Sequence, residues 1–180
     1  ATGDDLGMLL EDERITSVCI GPGLGLDDQA AQKLARVLNS RKTAVLDADA
    51  LTLLAEDETL RAKLHKKCIL TPHGGEFRRL FPDLADALLH PREILARERD
   101  AAQKEGGWGA LAGLPKLSDV GHLSGPATSK VDVAMDAAEQ LGATVLFKGQ
   151  VTVVADPGRF AFVHAAVYER SAPWLATAGS

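Results

Sequence analysis

Along the first half of the chain, short apolar runs of the length of a strand alternate with segments whose apolar residues recur at helical spacing. Three apolar segments are predicted to be buried strands that end in turns: "ITSVCIGPG", "KTAVLDADAL" and "KCILTPHGGEF". Each is followed by a segment of helical character, beginning "LDDQAAQKLARVLNS", "TLLAEDETLRAKLHKK" and "GEFRRLF". Parallel strands need a crossover between them, usually a helix. The alternation therefore predicts an α/β domain with a parallel sheet.

The second half departs from this alternation. Two further helices are predicted, at "HPREILARERDAAQKE" and "KVDVAMDAAEQLG", and three strands then follow closely, at "ATVLFKG", "VTVVAD" and "RFAFVHA". The short turns "KGQ" and "DPGR" favour antiparallel pairing of these strands. We expect a mostly parallel central sheet, flanked by helices, with a terminal β meander. Residues 1–14 are expected to be a polar lead-in with one helical turn.

Composition limits the classes of function. The chain has 180 residues, 46% hydrophobic residues and a net charge of −5. This charge gives no general attraction to nucleic acid or to an anionic membrane, and no apolar run is long enough to span a bilayer. Cys19 and Cys68 lie in apolar segments and are predicted to be buried thiols, which favours a reducing, cytoplasmic location. We expect no metal site built on cysteine.

The segment from about 86 to 128 is rich in glycine and proline after its polar helix and lacks helical spacing beyond it. Long loops in compact domains are usually functional or mobile. We interpret residues 1–180 as one partial domain that carries this loop-rich insertion. A lid, a partner surface and an ordinary surface insertion all remain open as its role.

The unusual turns all follow predicted strands. They are "GPGLG", "DADAL", "TPHGGEF" and "KGQVT". In open α/β sheets, ligands bind beyond the carboxyl ends of the strands. The four turns therefore predict one ligand-binding edge.

The first turn contains Gly21, Gly23 and Gly25, which allow a backbone to approach a ligand closely. The helix after it offers amides suited to an anion or a carbonyl group. A plain strand-to-helix turn is the alternative. Together with Asp47, the glycines also imitate a dinucleotide-binding pattern, but Leu26 occupies the position of its third glycine.

The next two turns contain polar side chains with two interpretations each. Asp47 either caps the following helix or points into the cleft, whereas capping is the better interpretation of Asp49. His73 follows a strand exit and is suited to donating to a ligand near neutral pH, although a structural role is equally compatible. Glu76 falls in a first helical turn, where helix stabilisation is an adequate explanation.

Lys148 ends a predicted buried strand, and Gly149 and Thr152 follow it. A lysine ammonium is a flexible point charge well suited to phosphate. A solvated lysine in a hairpin is the alternative. The location of Lys148 at the same predicted edge favours the phosphate interpretation.

Five segments together resemble one family. In order, they are "CIGPGLG", "VLDADAL", "LTPHGGEFRRL", "FKGQVTVVADPGR" and "PWLATAGS". They resemble the ADP- or ATP-dependent NAD(P)H-hydrate dehydratases, a branch of the ribokinase-like superfamily. The resemblance covers residues 15–85 and 129–180. It implies a ribokinase-like fold and a lyase that repairs hydrated NADH and NADPH at the cost of ADP or ATP, with Mg²⁺ accompanying the nucleotide phosphates.

The resemblance also implies roles for individual residues. Hydrated dinucleotide would contact Gly23, Gly25 and His73. Gly21, Asp47, Asp49 and Glu76 are further site candidates from the turns themselves, with no ligand assigned to them. The adenosine nucleotide would lie against Lys148, Gly149, Gln150, Val151, Thr152, Gly179 and Ser180. In the family, a catalytic aspartate follows the segment that ends here at Ser180, so the resemblance predicts an incomplete domain without its catalytic base.

The family further implies an epimerase domain, fused or separate, as a partner, and assembly into homo-oligomers. Three alternatives remain open on the sequence. They are a small-molecule kinase of the same superfamily, a nucleotide-binding module without catalysis, and a dinucleotide-dependent dehydrogenase.

Overall fold

The computed structural model describes residues 3–89, 91–106 and 128–165. This part of the chain contains eight helices and six strands. The helices are α1 (Gly3–Glu11), α2 (Asp28–Asn39), α3 (Asp49–Glu56), α4 (Glu58–Arg61), α5 (Gly74–Leu80), α6 (Pro82–Ala87), α7 (Pro91–Gly106) and α8 (Lys130–Leu141). The strands are β1 (Ser17–Ile20), β2 (Thr43–Leu46), β3 (Cys68–Leu70), β4 (Thr144–Phe147), β5 (Val151–Asp156) and β6 (Phe160–Ala165).

The strands form one mixed sheet in chain order, β1-β2-β3-β4-β5-β6. Strands β1 to β4 are parallel, with Val45 opposite Cys19 and Ile69 opposite Val45. Strands β5 and β6 are antiparallel to their neighbours, as Leu146 opposite Val154 illustrates. The predicted α/β class and the terminal meander are confirmed.

The core lies between the sheet and its helices. Alternate residues of the inner strands are buried, including Leu46, Leu70 and Val145. The helices contribute buried apolar residues to this core: Leu34, Val37 and Leu38 of α2, Leu51 and Leu54 of α3, Phe77 of α5, and Val133, Ala134, Ala137 and Ala138 of α8. The Phe77 ring stacks on Phe147 of β4 at 4.1 Å between centroids. Helices and strands of the two halves therefore share one core.

Three local expectations were wrong. Helix α1 spans nine residues rather than a single turn, because the packing of Leu6 and Leu10 against the core stabilises a longer helix. The helical segment after β2 divides at Asp57, whose carboxylate accepts hydrogen bonds from the amides of Thr59 and Leu60 and starts α4.

The third concerns β1, which was predicted to be buried together with Cys19. Ser17 and Cys19 are exposed, while Cys68 of β3 is buried. Strand β1 stands at the end of the described sheet and pairs only with β2 there. Burial raises the pKa of the Cys68 thiol.

Among the described residues, none of the helices combines the length and the apolar character that crossing a bilayer would require.

Candidate functional site

The carboxyl edge of the sheet, where β1 to β4 end, collects the predicted turns. Gly21 directly follows β1, Asp47 follows β2 and Lys148 follows β4, while His73 lies shortly after β3. Because β1 to β4 are parallel and adjacent, these positions share one edge. The turns are also hydrogen-bonded to one another, since the Asp47 amide donates to the Ile20 carbonyl and the Lys148 amide to the Pro72 carbonyl at 2.8 Å.

The glycine turn is tightly constrained at its start and open at its middle. A Cβ on Gly21 would lie 1.7 Å from the carbonyl oxygen of Asp47, and the φ of Gly21 is +136°. Only glycine therefore fits where this turn crosses the turn after β2. Gly23 has open space around it, and its amide has no hydrogen-bond partner among the described residues.

Gly25 differs from Gly23 because its amide is occupied. Its N–H donates to Oδ2 of Asp49 at 2.9 Å. The expectation that Asp49 caps a helix was wrong: the N-cap of α3 is Ala48, and no side chain caps that helix start. Asp49 instead ties the glycine turn to the turn after β2.

The start of α2 also differs from the expectation of an anion site. Asp27 is its N-cap and accepts a hydrogen bond from the Ala30 amide at 2.8 Å, and Asp28 adds a second acid in the first turn. Two carboxylates already complement the helix dipole there and repel a further anion.

His73 is the N-cap of α5. Its Nδ1 accepts the Gly75 amide at 3.0 Å, while its own amide donates to Oε2 of Glu76 at 2.8 Å, which completes a capping box. Glu76 is almost buried, whereas the His73 side chain is 59% exposed. Because Nδ1 accepts, the proton of a neutral ring lies on Nε2. Nε2 lies 3.5 Å from Oε1 of Glu76, so His73 stabilises its helix and places its second nitrogen near the same carboxylate, while the ring remains accessible to a ligand.

Asp47 and Lys148 form an ion pair at the centre of the carboxyl edge, with Oδ1 and Nζ 2.9 Å apart. Burial raises the pKa of Asp47, but hydrogen bonds from Lys148 and from the Ala48 amide outweigh it and hold that pKa below its usual value. Asp47 is therefore a carboxylate near neutral pH and turns its charge toward the ammonium group.

The backbone beside Asp47 is strained. Ala48 has a φ of +47°, a left-handed value that side chains disfavour. Its amide donates to Oδ1 of Asp47 at 2.9 Å, which helps to hold this conformation. Strain of this kind gathers at ligand sites, where the surrounding structure sustains it.

The connection from β4 to β5, residues 148–152, is a tight antiparallel turn. Gly149 and Gln150 are exposed at its tip, and Val151 begins β5. The Thr152 hydroxyl donates weakly to the Gly149 carbonyl at 3.4 Å. Gly179 and Ser180, the other predicted nucleotide contacts, lie outside the described residues.

Sequence reasoning missed Lys130, the first residue of α8. Its Nζ donates to the carbonyl oxygens of Lys148 and Val151, the former at 3.1 Å, and lies 4.1 Å from the centroid of the Phe147 ring. A cation in the first turn of a helix opposes the helix dipole. That unfavourable placement was the signal in the sequence that could have found it.

No group of three or more histidine, cysteine or acidic side chains that could hold a metal occurs within the part of the chain described by the structure. Asp47 and Asp49 are the carboxylates of the turn after β2, and each already accepts a hydrogen bond. Mg²⁺ commonly binds through one or two carboxylates together with substrate phosphates. Asp47 and Asp49 are the carboxylates that the turn after β2 offers to such an ion.

The mixed sheet and its helices form a ribokinase-like α/β fold. A ribokinase-like superfamily protein of Enterococcus faecalis has the same fold, with a TM-score of 0.53 and 21% identity over 90% of this chain and 42% of its own. The model of the family described as NAD(P)H-hydrate dehydratase matches residues 3–107, more than half of the chain. The chain belongs to this NAD(P)H-hydrate dehydratase family.

A curated relative is the bifunctional NAD(P)H-hydrate repair enzyme of Mycobacterium tuberculosis, which is 34% identical over 93% of this chain and 26% of its own length. The enzyme of the same name from Coxiella burnetii is 49% identical over 44% of this chain and 15% of its length. The chain thus spans about a quarter or less of these relatives.

Proposed function

We propose that the protein to which this chain belongs removes water from hydrated NADH and NADPH and couples this repair to cleavage of ADP or ATP. The carrying observation is that four turns of a chain from this family lie at one sheet edge, where Lys148 is the central cation. The named relatives, which are repair enzymes for the same hydrate, support the substrate.

The described residues supply binding and orientation rather than a base. The Gly23 amide is a donor suited to the hydrated dinucleotide. His73 would contact the same substrate through its exposed ring, whose Nε2 also lies 3.5 Å from Oε1 of Glu76. Asp49 already occupies the Gly25 amide, so Gly25 shapes this turn rather than donating to a ligand. Glu76 acts through His73 by completing its capping box.

The 148–152 turn would hold the nucleotide, with Lys148 directed at its phosphates and Mg²⁺ carried on the same phosphates. In this scheme the terminal phosphoryl group of ATP or ADP passes to the ring hydroxyl, ADP or AMP leaves, and the hydroxyl proton goes to the aspartate that the family carries after the segment ending at Ser180. Phosphate and a ring proton then leave and restore the double bond. Positioning and charge stabilisation dominate such a transfer. Lys148 contributes to both because Asp47 fixes its ammonium group.

The further proposals concern the whole protein. Its relatives are named bifunctional, which supports an epimerase activity for the hydrate, fused or separate, as the partner. A cytoplasmic location and a homo-oligomeric assembly fit a cofactor-repair enzyme of this family and complete the proposal.

The test is an assay of the intact protein with hydrated NADPH, Mg²⁺ and either ADP or ATP. Recovery of reduced nicotinamide absorbance that requires the nucleotide supports the proposal. Phosphorylation of members of an alcohol panel without such recovery identifies a small-molecule kinase instead. Saturable binding of undamaged NAD with no response to either nucleotide indicates a dehydrogenase-type site.

A further inference from the structure

The position of Lys130 is not explained by the stability of its own helix. It is the first residue of α8, directly after Ser129, whose hydroxyl accepts the Asp132 amide in a capping box. Ser129 and Asp132 complement the positive end of the helix, whereas a lysine opposes it. Burial also lowers the pKa of Lys130, so its ammonium group is partly removed from water. The unfavourable helix dipole and the partial loss of hydration both indicate that the ammonium group interacts with a group outside α8.

The group that receives this charge is the 148–152 turn. The Lys130 ammonium donates to the carbonyl oxygens of Lys148 and Val151, which flank the tip of the turn. The Phe147 ring lies beneath the same ammonium group, and Phe147 is fixed in turn by its stack on Phe77. One cation therefore joins both ends of the turn to the core.

The direction of the Gly149 amide follows from the same contact. The described backbone has no cis peptide bond, and in a trans peptide the C=O and N–H groups point in opposite directions. Because the Lys148 carbonyl points at Lys130, the Gly149 N–H points away from it. This amide has no hydrogen-bond partner among the described residues. It is thus available to an acceptor atom of a ligand.

The lack of a side chain at Gly149 leaves room for the Lys130 ammonium group. A Cβ on Gly149 would lie 2.7 Å from Nζ of Lys130, and its other neighbour, the Val151 carbonyl, would be at 3.5 Å. Since the Gly149 φ is not left-handed, the main obstacle to an alanine there is the ammonium group, which would have to move.

We propose that Lys130 is a positioning residue for the nucleotide: it holds the 148–152 turn so that the Gly149 amide and the Lys148 ammonium face the bound ADP or ATP. This inference rests on the proposed function, because it assumes that the turn receives the nucleotide. Lys130 touches no substrate and acts only through the turn.

The test compares Lys130→Met with Lys42→Met in the intact protein. Lys42 is a matched control, since its ammonium also donates to two backbone carbonyls, those of Asp12 and Ile15, remote in sequence from the 148–152 turn. The measured quantities are the Kd of ATP with Mg²⁺, the Kd of hydrated NADPH and the Tm. We expect Lys130→Met to weaken ATP about tenfold while hydrated NADPH changes less than about twofold. Lys42→Met should leave both affinities unchanged.

A double-mutant cycle with Gly149→Ala isolates the contact. Alone, Gly149→Ala should weaken ATP because the new Cβ displaces the ammonium group. In the Lys130→Met background it should add little, since methionine ends one atom short of Nζ and vacates the space. Additive losses would overturn the inference, as would wild-type ATP affinity in Lys130→Met. If Lys130→Met does not fold, Gly149→Ala decides alone, and unchanged ATP affinity in it overturns the inference.

Nucleotide binding by the wild-type protein distinguishes a failure of the proposed function from a failure of the role of Lys130. An intact wild-type protein that binds neither ATP nor ADP contradicts the proposed function itself. Wild-type binding of nucleotide combined with unchanged binding by Lys130→Met contradicts only the role of Lys130.

Discussion

The ammonium of Lys148 and the carboxylate of Asp47 lie 2.9 Å apart although the two residues are 101 positions apart in the chain. Strand β3 lies between their strands in the sheet, so the pair bridges over the exit of β3 at the carboxyl edge. Both side chains are about one-third exposed, at 38% for Lys148 and 31% for Asp47. The pair is accessible to a ligand that approaches this edge.

Replacing Lys148 with methionine should impair nucleotide binding far more than stability. We expect the Kd of ATP with Mg²⁺ to rise at least about tenfold, because a charge-assisted contact to phosphate is lost. The free energy of unfolding should change by less than about 1 kcal/mol, since partly exposed ion pairs contribute little. Calorimetric titration and urea unfolding measure the two quantities.

Lys67→Met is the control for Lys148→Met. Lys67 is an exposed lysine at the opposite end of the sheet, directly before β3. Its replacement should leave ATP affinity at the wild-type value. Equal losses of affinity in both variants would show that general charge, rather than the site at the carboxyl edge, attracts the nucleotide.

The lowered pKa of Asp47 makes part of the stability dependent on pH. A carboxylate whose pKa is lower in the folded state stabilises the fold above its unfolded pKa of about 3.8, and this contribution disappears as pH falls through the folded value. Between about pH 6 and pH 3, the wild type should therefore lose more unfolding free energy than Asp47→Asn. Urea unfolding of both proteins across this pH range measures the difference. Parallel profiles of unfolding free energy against pH would contradict a lowered pKa for Asp47.

Gly21 and Gly23 should respond differently to alanine. Gly21→Ala places a Cβ 1.7 Å from the Asp47 carbonyl oxygen, so we expect a loss of about 3 kcal/mol or more from overpacking and backbone strain. Gly23→Ala meets no atom within 4 Å, and its φ of +66° predicts a cost of only about 1 kcal/mol. Thermal and urea unfolding compare the two, and equal losses would contradict the close crossing of the turns.

The aromatic stack beneath the 148–152 turn should be important for stability. Phe77 is fully buried and stacks on Phe147, so Phe77→Ala should cost about 3–5 kcal/mol. Phe162 of β6 is 77% exposed, and Phe162→Ala should change the unfolding free energy by no more than about 0.5 kcal/mol. A Phe77→Ala protein as stable as the wild type would show that the stack does not belong to the core.

The order of strands and helices was predictable because each inner strand and each amphipathic helix carries its own periodic signal. The edge formed by Gly21, Asp47, His73 and Lys148 was predictable for a related reason, since the ends of adjacent parallel strands must meet. The order of the elements and the composition of this edge therefore both followed from the order of segments in the chain and their local apolar pattern.

What remained unpredictable depends on contacts between distant segments. Asp49 looks like a helix cap in the sequence, but the Gly25 amide from the preceding turn takes its carboxylate. Cys19 lies in an apolar run, yet its exposure depends on the position of β1 in the sheet. Lys130 acquires its role only when α8 brings it to the 148–152 turn.

Hydrogen–deuterium exchange of the intact protein, free and with each ligand, locates the two binding sites on the sheet. We expect ATP with Mg²⁺ to slow exchange at the amides of residues 148–152, and hydrated NADPH to slow it at residues 21–25 and 73–75. Slowed exchange only at the opposite end of the sheet, around residues 41–43 and 65–67, or no change in either set of turns, would contradict this placement.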